Sequence, residues 1–210
     1  MKKIKLIHDY IRFVAGKYQS GAYSPERTDL AIHVASLQFF NELLDDYLGS
    51  KSNAHLFQPL MQVLAPINRI GAYDTEGHIV ERVEDFDTGK KIDLVKINEI
   101  GFLKDDSIAG PTLDEPVAYM SFDGLRVEPR TYTKQIRVYT IKKPDAPKYA
   151  FEKVGNNYVY NEGATKDIEW PEQAIPILAN RVVGVMGIST NDGNLVQYSQ
   201  WKESRETEQR

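Results

Sequence analysis

Asp85-Phe86-Asp87-Thr88-Gly89 sets side-chain oxygens at alternate positions, which is how a calcium loop opens. A complete loop of that kind needs another oxygen ligand at its fifth place and a glutamate at its twelfth. Gly89 and Lys96 stand there instead, so the stretch reads as a solvated turn between strands. The histidines His8, His33, His55 and His78 are scattered, none with a partner at metal-ligand spacing. The chain has no cysteine, which excludes thiolate nucleophiles, disulfides and Cys-ligated zinc. It also has no glycine-rich phosphate loop and no Gly-x-Ser-x-Gly elbow. The pairs Asp45-Asp46 and Asp105-Asp106 are adjacent in sequence, whereas acid–base work needs carboxyl groups facing each other across a cleft. These residues predict no catalytic group, no metal site and no cofactor.

Two residue classes qualify as contact candidates. Lys90-Lys91 and Lys142-Lys143 with Lys148 are basic clusters in predicted hairpin or loop positions. Such lysines can meet DNA phosphates, although loop solubility is the simpler reading. Phe39, Leu43, Trp170, Trp201, Tyr149 and Tyr158 are candidates for a subunit or partner contact, since large aromatic side chains are enriched at interface centres. Trp170 opens a predicted helix and reads first as a core or staple residue. Trp201 lies in a short helix among charged neighbours.

Three kinds of element must position these residues. Ile4, Ile7, Tyr10, Ile11, Val14 and Tyr18 recur at three and four residues, which predicts an amphipathic helix stopped by Gly21. Ser24-Pro25-Glu26 then has the form of a helix start: a Ser cap, Pro in the first turn, and an acid near the positive end of the dipole. Leu30, Val34, Leu37, Phe40, Leu44 and Leu48 carry that helix to Gly49, with Phe39 and Leu43 widening the stripe. Asn53 is the expected cap of a third helical piece through Leu64, split or kinked at Pro59. From Ile70 the period changes to two. Strands are expected over 78–84, 92–102, 116–122, 125–129 and 136–141, with Asp123-Gly124 as a hairpin turn. Tyr149 to Val154 and Tyr158 to Tyr160 flank a further turn at Gly155-Asn156-Asn157. Helical spacing returns with Ile175, Leu178, Val182, Val185 and Met186 up to Gly187. Pro176 should bend that helix or shift its start. Asp192 is the expected cap of a last helix carrying Leu195, Tyr198 and Trp201, and Lys202–Arg210 is a charged tail.

The order helices, strands, helices predicts an α+β fold. The expected division is a helical bundle from residues 1–69 and 168–210, with an inserted antiparallel β-rich module over 70–167. The 210 residues suffice for one domain or a core domain with an inserted module. The net charge of −4 points to neither nucleic acid nor an anionic membrane as the main partner. Asp9, Tyr10 and Arg12 break the apolar run of the basic opening, so no signal peptide is expected. No stretch approaches the roughly 18 apolar residues of a membrane span.

Several stretches together resemble the head-to-tail connector, or neck ring, proteins of tailed bacteriophages, in the version found in crAss-like and related Bacteroidetes phages. They are Ile11-Arg12-Phe13-Val14-Ala15-Gly16-Lys17-Tyr18-Gln19-Ser20-Gly21 with Ser24-Pro25; Phe39-Phe40-Asn41-Glu42-Leu43; Leu125-Arg126-Val127-Glu128-Pro129; Ile136-Arg137-Val138-Tyr139 with Pro144 and Pro147; and Ile168-Glu169-Trp170-Pro171-Glu172 leading to Gly187-Ile188. In order and spacing they cover most of the chain; Pro176 departs from the family's regular helix. The resemblance implies a structural protein of the virion neck, present in the host cytoplasm during assembly. Its partners would be copies of itself in a ring, typically a dodecamer, together with the portal, other neck or tail proteins and passing DNA, without sequence specificity. The family offers no catalytic residue to carry over. Alternative readings are a stopper or tail terminator, or a non-viral cytoplasmic module that binds a ligand or peptide along the Tyr149–Tyr160 hairpin.

Overall fold

The computed structural model describes residues 2–17, 23–50, 54–64, 72–75, 78–106, 110–154, 157–189, 197 and 200–201. The fold is α+β, and the chain divides into two compact units. One comprises 1–59 and 143–210, the other 60–142. These limits differ from the 70–167 module read from periodicity. A short strand begins at Met61, where helix was expected, and the hairpin after Tyr149 groups with the helices. The expected stop at Gly21, the cap at Asn53, the turn at Gly155-Asn156, the helix start at Asp192 and the tail 202–210 lie outside the described residues.

In the first unit, α1 (Lys3–Lys17) and α2 (Pro25–Ser50) pack against α5 (Ile175–Ser189), and the one-turn α3 (Ala54–Phe57) contributes the buried Phe57. α5 is apolar nearly all round, as a central helix must be, and buries Leu178, Val182, Val183 and Met186. Pro176 stands in its first turn, where no intrahelical N–H is needed. A 3₁₀ turn at Glu172–Ala174 leads in, and the helix runs past Gly187 to Ser189. α2 begins as its residues dictate: the Ser24 Oγ accepts a hydrogen bond from the Arg27 N–H at 3.3 Å. Its buried face differs from the expected one. Ile32, Ala35, Ser36, Phe39, Phe40, Leu43 and Tyr47 point inward. Of the stripe Leu30–Val34–Leu37–Phe40–Leu44–Leu48, only Phe40 is buried; Leu30 and Leu48 are 64% and 55% exposed. The residues that widened the stripe are the core.

Trp170 is fully buried against Phe39, Phe40 and Phe57, with ring centroids 4.9, 6.5 and 6.2 Å away. Its indole N–H donates to the Ser36 Oγ at 2.5 Å. Asp167 caps α1 from across the chain, its carboxylate accepting the N–H groups of Lys3 and Ile4 at 3.1 and 2.9 Å. The Lys3 ammonium reaches the Trp170 carbonyl at 2.5 Å. The two ends of the sequence therefore build one core.

The second unit is a six-stranded sheet in the order β1-β6-β2-β3-β4-β5. The strands are β1 (Met61–Val63), β2 (Ile79–Asp85), β3 (Lys91–Val95), β4 (Val117–Ser121), β5 (Gly124–Glu128) and β6 (Ile136–Ile141). The expected antiparallel module is in fact mixed, because β3 and β4 run parallel. A parallel pair needs a crossover, and α4 (Ile97–Asp105) supplies it. Residues 92–102, expected as one strand, therefore split. The strand ends at Val95; Ile100 is then buried on a helix started where the Glu99 carboxylate accepts the Lys96 N–H at 3.3 Å. The core contains Val83, Ile92, Ala118, Leu125, Ile136 and Val138. Gly124, at φ 124°, lies so close to the Tyr73 carbonyl that a Cβ would stand 2.2 Å from it. The unit starts and finishes at one point, since the Lys142 N–H donates to the Leu60 carbonyl at 2.9 Å. A separate antiparallel hairpin, β7 (Phe151–Val154) with β8 (Asn157–Tyr160), belongs to the first unit. Among the described residues no helix is long and apolar enough to cross a membrane.

Trp170→Ala is expected to cost about 3–5 kcal/mol by leaving a cavity. Ser36→Ala is expected to cost about 1–3 kcal/mol by stranding the indole N–H. Urea unfolding followed by circular dichroism reads both; a Ser36→Ala curve superposing on the wild type would refute the role given to that bond.

Candidate functional site

β2 is antiparallel to β3 and to β6, and β4 is parallel to β3. The end of β2 and the starts of β3, β4 and β6 therefore meet at one end of the sheet. Three connections gather there: the β2–β3 turn, the segment leading into β4, and the segment leading into β6. They enclose a cleft of about 220 Å³. Lys90, Lys91 and Lys134 are among its lining residues, with two acidic ones, Asp85 and Asp114. Ile92, Leu113 and Pro116 form an apolar side, and Thr88 and Tyr132 bring hydroxyl groups.

The Asp85 carboxylate organises this end. It is 4% exposed. One oxygen accepts the Thr88 hydroxyl and N–H, both at 2.8 Å, and the Asp87 N–H at 3.1 Å. The other accepts the Tyr132 hydroxyl at 2.6 Å, with the Lys134 ammonium 3.7 Å away. Gly89 closes the turn at φ 68°, a conformation that favours glycine. Burial pushes the Asp85 carboxyl upward, but the hydrogen bonds from Tyr132 and Thr88 and the Lys134 charge outweigh it and hold the group at about 2. Burial and donation to the ionised Asp85 raise the Tyr132 phenol well above its ordinary value. The turn is the inter-strand turn expected, but Asp85 is enclosed and fully partnered rather than solvated. Its oxygens are committed to N–H and O–H donors, which leaves them poorly suited to a cation. Among the described residues no group of three His, Asp or Glu side chains could hold a metal ion.

The Lys90 ammonium donates to the Asp114 carbonyl at 2.8 Å, tying the β2–β3 turn to the segment before β4. Thr112 and Glu115 close that segment on itself: the Thr112 N–H donates to the Glu115 carbonyl at 3.1 Å, and the Glu115 N–H to the Thr112 hydroxyl at 3.0 Å. Lys91 pairs with Asp93 at 3.2 Å, both side chains mostly exposed. Sequence reading identified Lys90 and Lys91 but missed Lys134, which only the β2–β6 pairing brings in. Lys142, Lys143 and Lys148 do not line the cleft. Lys142 is half-buried, while Lys143 and Lys148 are exposed.

The aromatic candidates separate differently. Phe39, Leu43, Trp170 and Tyr149 are each at most 4% exposed, so they are core residues and cannot form a contact surface. Packing inside the helical unit accounts for them: the Phe39 ring contacts both Trp170 and the Arg181 guanidinium, which forks onto Glu42 at 2.6 and 2.7 Å. Tyr149 stacks on His8 with centroids 4.2 Å apart. Asp29 joins that pair, accepting the Tyr149 N–H at 2.9 Å and bonding the His8 Nε2 at 2.8 Å. This aspartate–histidine pair ties α1, α2 and the segment at Tyr149 together. Trp201 is helical and 53% exposed. The Tyr158 side chain lies outside the described residues.

Compared with protein-family models and with curated proteins, the chain matches none.

Asp85→Asn is expected to destabilise the protein by about 2–3 kcal/mol at neutral pH, because it breaks a buried, fully partnered carboxylate network. The folded carboxyl lies below its ordinary 3.8, so its stabilisation is complete above about pH 4 and is lost as pH falls through about 2. Urea unfolding measured against pH should show the gap between wild type and variant closing over that window. A gap independent of pH would contradict the ionised assignment.

Proposed function

We propose that this chain is a structural protein of a phage neck, whose copies form a ring joining portal and head to tail and leaving a channel for DNA. A ring built from one kind of subunit uses heterologous contacts, so each copy must present two different faces. The observation that carries the reading is a second apolar edge on the helices, separate from their core faces. On α2 it comprises Leu30 and Leu48, exposed, with Val34, Leu37 and Leu44 half-buried between them. On α1, Phe13 is 69% and Leu6 43% exposed. Leu30, Val34, Leu37, Leu44 and Leu48 follow spacings of four, three, seven and four, which suits packing against another helix along its length. Two helices thus offer two distinct apolar surfaces, the minimum for side-by-side assembly.

The order of motifs read from the sequence supports the same assignment. The net charge of −4 suits a conduit through which DNA must slide, because dense phosphate neutralisation would hold it. The subunit acts through shape and contact among copies, and DNA passes without its sequence being read.

Mass photometry of the protein alone and with its portal protein is expected to show ring-sized assemblies. Leu30→Glu with Leu48→Glu should abolish them while leaving the circular dichroism of the subunit unchanged. A wild-type protein that stays monomeric with the portal present would overturn the assignment.

A further inference from the structure

We propose that the lysine-rimmed cleft at the end of the sheet is a docking site for an acidic, extended peptide segment of a partner protein. This goes beyond the ring assignment and does not depend on it. At about 220 Å³ the cleft is smaller than the roughly 300–1,000 Å³ of small-molecule and cofactor sites. It suits one or two side chains of a peptide. Its lining has two parts: the lysines Lys90, Lys91 and Lys134, and an apolar side formed by Ile92, Leu113 and Pro116. A carboxylate followed by an apolar residue matches both.

The lysines can receive such a ligand without dismantling the fold. An ammonium has three donors, and the Lys90 contact with Asp114 uses one of them. Lys91 and Asp93 form an exposed pair, of the kind that contributes little and exchanges readily. Lys134 stands 3.7 Å from Asp85, a carboxylate already supplied with hydrogen bonds by Thr88, Asp87 and Tyr132. Asp85 thus sets the Tyr132 and Lys134 side of the cleft. Leu113, 53% exposed, is the apolar contact left open at the rim.

Nucleic acid fits less well. Asp85 and Asp114 line the same small cleft and would repel a polyphosphate, and the chain as a whole is acidic. A peptide can present one carboxylate at a time between apolar residues, whereas a duplex brings its phosphates in a continuous row.

Fluorescence anisotropy on the full chain tests the proposal. The probes are a short labelled peptide alternating leucine with aspartate and glutamate, the same peptide with the acids replaced by asparagine and glutamine, and a short duplex DNA. The acidic peptide should bind, more weakly as salt rises, and the amide peptide should not. Lys90→Gln with Lys91→Gln should weaken binding about tenfold, and so should Lys134→Gln. Lys5→Gln, on α1, should leave binding unchanged. Lys90 and Lys91 are exposed, so their double variant should keep the wild-type circular dichroism even if Lys134→Gln disturbs the Asp85 network. The proposal is overturned by no binding of the acidic peptide, by equal binding of the amide peptide, by unchanged binding in the Lys90/Lys91 variant, or by duplex DNA binding more tightly through the same lysines.

Discussion

Trp170 and Asp167 fasten the end of the chain to its beginning, and the helical unit depends on that closure. A buried indole has one donor to satisfy, and Ser36 on α2 satisfies it. The first turn of α1 has orphan N–H groups, and a carboxylate more than 160 residues away accepts two of them. The Lys2 and Lys3 ammonium groups add bonds to the carbonyls of Thr165 and Trp170, each at 2.5 Å. Because only a 3₁₀ turn separates Trp170 from α5, fixing the tryptophan also delivers the central apolar helix to the face of α2 that buries Phe39, Phe40 and Leu43.

That closure explains how the sheet unit can stand as an insertion. Its first and last residues are hydrogen-bonded to each other, so the helical unit needs only a narrow gap to be bridged. The sheet in turn carries its own core and its own buried charge, Asp85, at the end where four strands meet. What each unit offers to other molecules is left at its surface: apolar edges on α1 and α2, and a cleft that mixes ammonium groups with apolar side chains. The proposed ring would use the apolar edges, and the proposed peptide contact the cleft.

Locally encoded features were legible in the sequence. Ser24-Pro25 starts a helix because its cap and first turn lie within four residues. Asp123-Gly124 turns a hairpin, and Ile136–Ile141 is a strand whose burial alternates from Ile136 to Thr140. Features set by distant partners were not legible. α4 exists because parallel β3 and β4 require a crossover, yet its first residues continue an alternating run. Met61–Val63 follows a helical pattern, but Pro59 cannot donate to a continuing helix and β6 offers a ladder. The inner face of α2 was misread because the helix has apolar residues on two sides, and periodicity alone does not say which side α5 will cover. Lys90-Lys91 was visible as a pair, but Lys134 joins it only through sheet topology. Nothing local marks Asp167 as the cap of α1.

The central claim is that residues 1–59 and 143–210 form one core without help from the inserted sheet. The most direct test is a chain in which 60–142 is replaced by a short glycine–serine linker, unfolded in urea while Trp170 fluorescence and helical circular dichroism are followed together. A single cooperative transition in both signals, starting from a buried tryptophan, is the expected result. A chain with a solvent-exposed tryptophan and no cooperative transition would contradict it.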